Sequence, residues 1–198
     1  MSAPDTEGLA SAAHARHEDA RLVAGVVRGD IGAFDALYRR MYPRLRRFLE
    51  RVTRRPQLVD EIVNDTMLVV WRKAATYDGT SSVSTWVFAI GYRKALKALK
   101  ALDEPLDVDL DEQPHPDLRE PDSVVLLQET RALLDDALSA LSAEQRAVVE
   151  LTYFHGCSYA EIAEVVGCPV NTVKTRMFHA RRRLRGLLAA AGVDHAGR

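Results

Sequence analysis

Between Asn171 and Arg185 the chain carries Lys174, Arg176, Arg181, Arg182, Arg183 and Arg185, and not one carboxylate. Val173, Met177, Ala180 and Leu184 recur among them at three- and four-residue steps, so the stretch reads as a helix with one apolar stripe. Such a cationic face grips polyanions through their phosphates. Just upstream, Ile162, Ala163 and Val166 mark a shorter helix that Gly167 ends. Pro169 suits the turn or the first position of the next helix, and Asn171 or Thr172 is placed to cap it. Helix, tight turn and basic helix together describe a helix-turn-helix, whose second helix enters the DNA major groove.

Two further clusters carry chemistry. Asp60, Glu61, Asn64 and Asp65 gather on the first two turns of a separate helix. Compensation of the helix dipole, at about 0.3–1 kcal/mol per carboxylate, accounts for one or two of them but not for the patch. Trp86, Phe88 and Tyr92 interleave with Arg93, Lys94, Lys97 and Lys100 on another helix, a mixture that stacks unpaired bases and follows a strand backbone. Trp86 and Ile90 also suit a core, which leaves Tyr92 and the cations as the better contact candidates.

Catalytic signatures are missing. The chain has no phosphate-binding Gly-rich loop, no HExxH, no CxxC and no nucleophile elbow. His155, Cys157, Cys168 and His179 follow no common zinc spacing, so neither a metal nor another cofactor is expected. The expectation is a binding protein and not an enzyme.

The elements that must position these clusters are all helical, since apolar residues repeat at three and four throughout and strand-like alternation is nowhere sustained. Residues 1–17 read as a disordered tail, and a helix follows from Glu18 to the Gly29-Asp30 break. Asp30 is placed to cap a long helix carrying Phe34, Leu37, Met41, Leu45, Phe48 and Val52, with Pro43 expected to kink it or mark a joint. After Pro56 comes the helix with the acidic cluster, then a loop at 78–82, then the aromatic-basic helix capped by Ser84 or Thr85. Residues 103–122 hold nine carboxylates, four prolines and the single cation Arg119, the composition of an extended linker. Ser142 and Gln145 have capping-box spacing at the start of a helix that runs to Tyr153. The expected fold is therefore all-α, with helical domains at 18–102 and 123–190 and a frayed end at 191–198. The net charge of −1 hides this segregation of acid from base. Two cysteines, no signal-like N-terminus and no membrane-length apolar run suggest a soluble cytoplasmic protein without membrane insertion.

Four stretches carry a family resemblance. They are Ala33–Leu49; Val59–Met67 with Val70-Trp71; Ser84–Ile90; and Leu141–Val149 together with Ser158–Gly167 and Asn171–Leu184. The chain resembles bacterial RNA polymerase sigma factors of the small, two-domain extracytoplasmic-function group. The resemblance implies that Asp60, Glu61, Asn64 and Asp65 face a coiled coil of the polymerase largest subunit. It implies that the loop and helix bearing Asp78, Ser81, Ser82, Ser84, Trp86, Tyr92, Arg93 and Lys97 capture a flipped base of the −10 element and hold the melted strand. Asn171, Thr172, Lys174, Thr175, Arg176, His179 and Arg182 would read or grip the −35 element. The acidic linker would run through the polymerase toward the RNA exit path. The partners implied are core RNA polymerase, promoter DNA and an anti-sigma factor released by a stress or environmental signal. Family members usually carry Arg-Asn and a later Asp where this chain has Tyr92-Arg93 and Lys97, which points to an altered −10 preference. A free-standing transcriptional regulator and a helical interaction adaptor are the rival readings.

Overall fold

The structure, a computed structural model, describes residues 6–102 and 134–190, without the side chains of residues 6–13. All regular elements among them are helical. In order they are α1 (Thr6–Val27), α2 (Ile31–Thr53), α3 (Pro56–Lys73), a 3-10 turn (Ala74–Thr76), α4 (Val83–Ala101), α5 (Ala143–Tyr153), α6 (Tyr159–Val166) and α7 (Val170–Ala190), with residues 134–139 also helical ahead of α5. No helix here is long and apolar enough to cross a membrane.

Most boundaries follow from local chemistry. The Asp30 carboxylate accepts from the Ala33 N–H at 3.1 Å and starts α2. Pro56 takes the first position of α3, where its missing N–H costs nothing. Ser142 and Gln145 close the expected capping box on α5, and Ser158 with Glu161 closes another on α6. Gly167 adopts φ 68°, ψ 38° and ends α6 in the left-handed conformation that a side chain would oppose.

Four expectations need correction. α1 begins at Thr6, inside the stretch read as an unstructured tail. Its Ala10, Ala12, Ala13 and Ala15 have the highest intrinsic helix propensity of any residue type. Ser82, not Ser84 or Thr85, caps α4 by accepting from the Thr85 N–H at 3.1 Å. α7 begins at Val170, so Asn171 and Thr172 lie in its first turn and the Pro169 carbonyl accepts the first bonds instead. Pro43 marks no joint, because α2 runs through it as one continuous helix. The expected linker at 103–122 and end at 191–198 lie outside the described residues.

α1 to α4 form one helical group and α5 to α7 the other. In the first, α4 lies between α2 and α3 so closely that a Cβ on Gly91 would stand 2.8 Å from Leu45 Cδ1. In the second, Ile162, Val165, Val173, Met177 and Ala180 seal α6 and α7 against α5. The two groups also touch, α5 against α2 and α6 against α4, and their buried residues join in one cluster.

Candidate nucleic-acid and docking interface

On α3, Asp60, Glu61, Asn64 and Asp65 are all exposed, while Val59, Ile62, Val63 and Thr66 between them are buried. The helix thus has a core stripe and a carboxylate-amide stripe. The second is held in place by neighbours. Tyr42 donates to Asp60 at 3.1 Å, and Tyr38, stacked on Tyr42 with centroids 5.6 Å apart, donates to Asn64 at 3.0 Å. The bond to Asp60 raises the Tyr42 pKa. Asp65 pairs with Lys94 of α4 at 2.7 Å. Beside Asn64 an apolar slot of about 400 Å³ opens among Ile31, Phe34, Tyr38, Met67, Leu68 and Trp71. Ile31 is 74% and Leu68 43% exposed, so water wets an apolar surface on the edge of the acidic stripe. The slot has no signature in the sequence, since Phe34, Met67 and Trp71 sit at helical spacing among apolar neighbours.

The loop before α4 is tied to itself. Asp78 accepts from the Thr80 N–H at 3.0 Å and from its hydroxyl at 2.7 Å, bonds that lower the carboxyl's pKa. Tyr77 donates to the Ser81 carbonyl at 2.6 Å, and its ring meets that of Trp86 at 5.5 Å. Ser84 accepts from Arg44 at 2.9 Å. Asp78, Arg93 and Lys97 are exposed, and Ser81, Ser82, Ser84 and Trp86 are half-buried. Tyr92 is not a surface ring: it is 1% exposed, in the cluster with Phe48 and Phe88. Most positions of α4 from Val83 to Tyr92 are buried, so Phe88 and Tyr92 are core, Trp86 is half-buried, and the cations Arg93, Lys97 and Lys100 face water.

α7 buries Val173, Met177 and Ala180 and exposes Asn171, Lys174, Thr175, His179 and Arg182, with Thr172 and Arg176 half-buried. Thr175 donates back to the Asn171 carbonyl at 3.0 Å, and Arg176 lies 3.9 Å from the Cys168 sulfur. The sequence-selected positions therefore share one side of the helix. Phe178, 63% exposed between Met177 and His179, joins them as a ring not singled out from sequence. Among the described residues, no group of three or more His, Cys, Asp or Glu is placed to hold a metal. Burial pushes the Cys157 thiol up to about 11, which leaves it essentially without thiolate at neutral pH.

An exposed acidic stripe, a structured loop leading into a helix with exposed cations, and a basic helix presented by a tight turn are parts suited to a protein that joins another protein to DNA. Comparison with known proteins bears on which. Residues 37–104 match the model of Sigma-70 region 2, and residues 131–184 match Sigma-70, region 4. The chain is 31% identical over 189 residues to the ECF RNA polymerase sigma factor SigK of Mycobacterium sp. (strain KMS), covering 87% of this chain and 90% of that one. It is 34% identical over 175 residues to the ECF RNA polymerase sigma factor SigM of Mycobacterium tuberculosis (strain ATCC 25618 / H37Rv), covering 87% of each. Among solved structures it resembles CnrH in complex with the cytosolic domain of CnrY, with TM-score 0.64, 25% identity and coverage of 87% and 98%. It also resembles the sigma factor RpoE in complex with the anti-sigma factor NepR from Bartonella quintana, with TM-score 0.57, 26% identity and coverage of 79% and 96%.

Proposed function

The chain belongs to the ECF RNA polymerase sigma factors, and from that premise we propose that it joins core polymerase, reads promoter DNA at two places and helps to open it. Members of this family are initiation factors and not enzymes, and no step below needs chemistry from this chain. The observation that carries the reading is that an exposed acidic stripe lies on α3 and an exposed basic face on α7, in different helical groups.

The α3 stripe docks first. Asp60, Glu61, Asn64 and Asp65 meet cations of a polymerase helix, and the neighbouring slot takes an apolar side chain of the same partner. The 78–82 loop, with Ser84 and Trp86 behind it, receives a base turned out of the −10 element, while Arg93 and Lys97 follow the strand's phosphates. Tyr92 takes no part while it is buried. On α7, Lys174, Arg176 and Arg182 supply phosphate contacts, each worth about 0.9 units of salt slope. Asn171, Thr172, Thr175 and His179 face base edges of the −35 element, where a good bidentate contact discriminates by about 1–3 kcal/mol.

The protein works in the cytoplasm, held inactive by an anti-sigma factor until a stress or environmental signal frees it. One structural relative, the sigma factor RpoE, was solved with the anti-sigma factor NepR bound, which supports this part of the reading. The test is transcription in vitro: core polymerase plus this chain should start transcripts at promoters that core alone ignores. Absence of any such transcript across a genomic template library would refute the function.

A further inference from the structure

Lys174 begins a row on α7 that runs past the residues placed on DNA above. Lys174, Phe178, Arg181 and Arg185 recur at steps of four, three and four, so they share one stripe, and all four are exposed. From Lys174 to Arg185 the row rises about 16 Å along the helix. None of its three cations pairs with a carboxylate among the described residues. One of them is nevertheless held from another helix. The Arg181 Nε donates at 3.0 Å to the hydroxyl of Tyr153, the last residue of α5, which packs against α7.

This contact does little for the fold. Tyr153 is 59% exposed, and Arg181 faces water as well. Its effect is on the guanidinium. The bond takes the Nε edge and leaves both terminal nitrogens without a protein partner among the described residues. A guanidinium in that state offers a planar fork that matches two oxygens of a phosphate. A free arginine must give up rotamer freedom when it binds, whereas one already tied at Nε has given up part of it. The position along α7 also suits a phosphate. In a helix-turn-helix the first residues of the second helix meet base edges, and the later turns lead out to the backbone. Arg181 lies about three turns beyond Val170, where α7 begins.

We propose that Arg181 grips a backbone phosphate of the −35 duplex and that Tyr153, which lies outside the helix-turn-helix, is its positioning residue. The idea rests on the function proposed above. Tyr153 itself touches no DNA. Because phosphate contacts carry no sequence information, the pair raises affinity for all −35 sequences alike and leaves the choice among them to the first turns of α7.

Core polymerase carrying the full chain, bound to a labelled promoter duplex taken from the transcription test, gives the readout as affinity against salt. Arg181→Ala should lower the salt slope by about 1. Tyr153→Phe keeps the ring and every charge, so it should leave the slope unchanged while weakening binding about threefold. The double variant should bind no more weakly than Arg181→Ala, because the hydroxyl acts only through the guanidinium. An unchanged slope in Arg181→Ala, a Tyr153→Phe chain that binds like wild type, or effects that add in full would each overturn the proposal. A wild-type complex that ignores the duplex would overturn the function, and this assignment with it.

Discussion

Glu150 is 1% exposed in the folded chain, and neither of its carboxylate oxygens has a hydrogen-bond partner. Desolvation lifts its pKa from 4.5 to about 7, outweighing the attraction of Arg51 and Arg47. The folded chain therefore keeps a proton that the unfolded chain releases, and stability falls as pH rises from about 4.5 to 7, then levels. At about 1.36 kcal/mol per pKa unit the full shift would correspond to about 3.4 kcal/mol. Glu150 also lines a cleft of about 280 Å³ between the helical groups, and screening by water there reduces the expected effect to about 1–2 kcal/mol. Glu150→Gln keeps the shape and removes the titration. At pH 8 the variant should be more stable than wild type by about that amount, and at pH 4.5 the two should coincide. His155 pulls the other way. Burial lowers its pKa from 6.5 to about 4, so its contribution is lost as pH falls below 6.5. That effect is common to both proteins and cancels in their difference. Urea unfolding followed by circular dichroism at pH 4.5, 6, 7 and 8 measures the difference curve. A difference that stays constant across that range would refute the reasoning.

Asp60→Lys with Asp65→Lys should reduce core-polymerase capture in a pull-down by at least tenfold while −35 duplex binding by the same full-length chain is unchanged. Ser82→Ala removes the cap of α4 and should cost about 0.5–2 kcal/mol in thermal unfolding, with weaker promoter opening measured by permanganate reactivity. Gly91→Ala drives a methyl to 2.8 Å from Leu45 Cδ1 and should cost about 1–3 kcal/mol of stability by urea titration. Lys174→Ala should weaken binding to all duplexes alike and lower the salt slope by about 1, read by fluorescence anisotropy at several salt concentrations.

Local rules made much of this molecule readable. Gly167 in its left-handed turn, the capping box at Ser142 and the stripe through Val173, Met177 and Ala180 are short-range features, and each was legible from spacing alone. The exposed face of α3 was legible for the same reason, because its carboxylates fall between residues that must be buried. Tyr92 was misread because a ring among cations has the same local pattern whether it faces solvent or core, and only packing on both sides of α4 decides which. The cap of α4 was placed two residues late because Ser81, Ser82, Ser84 and Thr85 offer hydroxyls of nearly equal propensity. The contact between the halves could not be read at all. Arg146 and Val52 are 94 residues apart, and no periodicity links them.

The loop from Asp78 to Ser82 has a consequence for the thermodynamics of opening DNA. Its shape is set by bonds within the chain, Asp78 on Thr80, Tyr77 on Ser81 and Ser82 on α4. Fixing a residue's backbone costs roughly 1–2 kcal/mol of conformational entropy, so ordering five residues on demand would cost on the order of 5 kcal/mol or more. In the function proposed above, that cost would fall on folding and not on the moment a base is turned out of the duplex. A base captured there would meet a loop already ordered, so the free energy released on capture would go toward holding the DNA open.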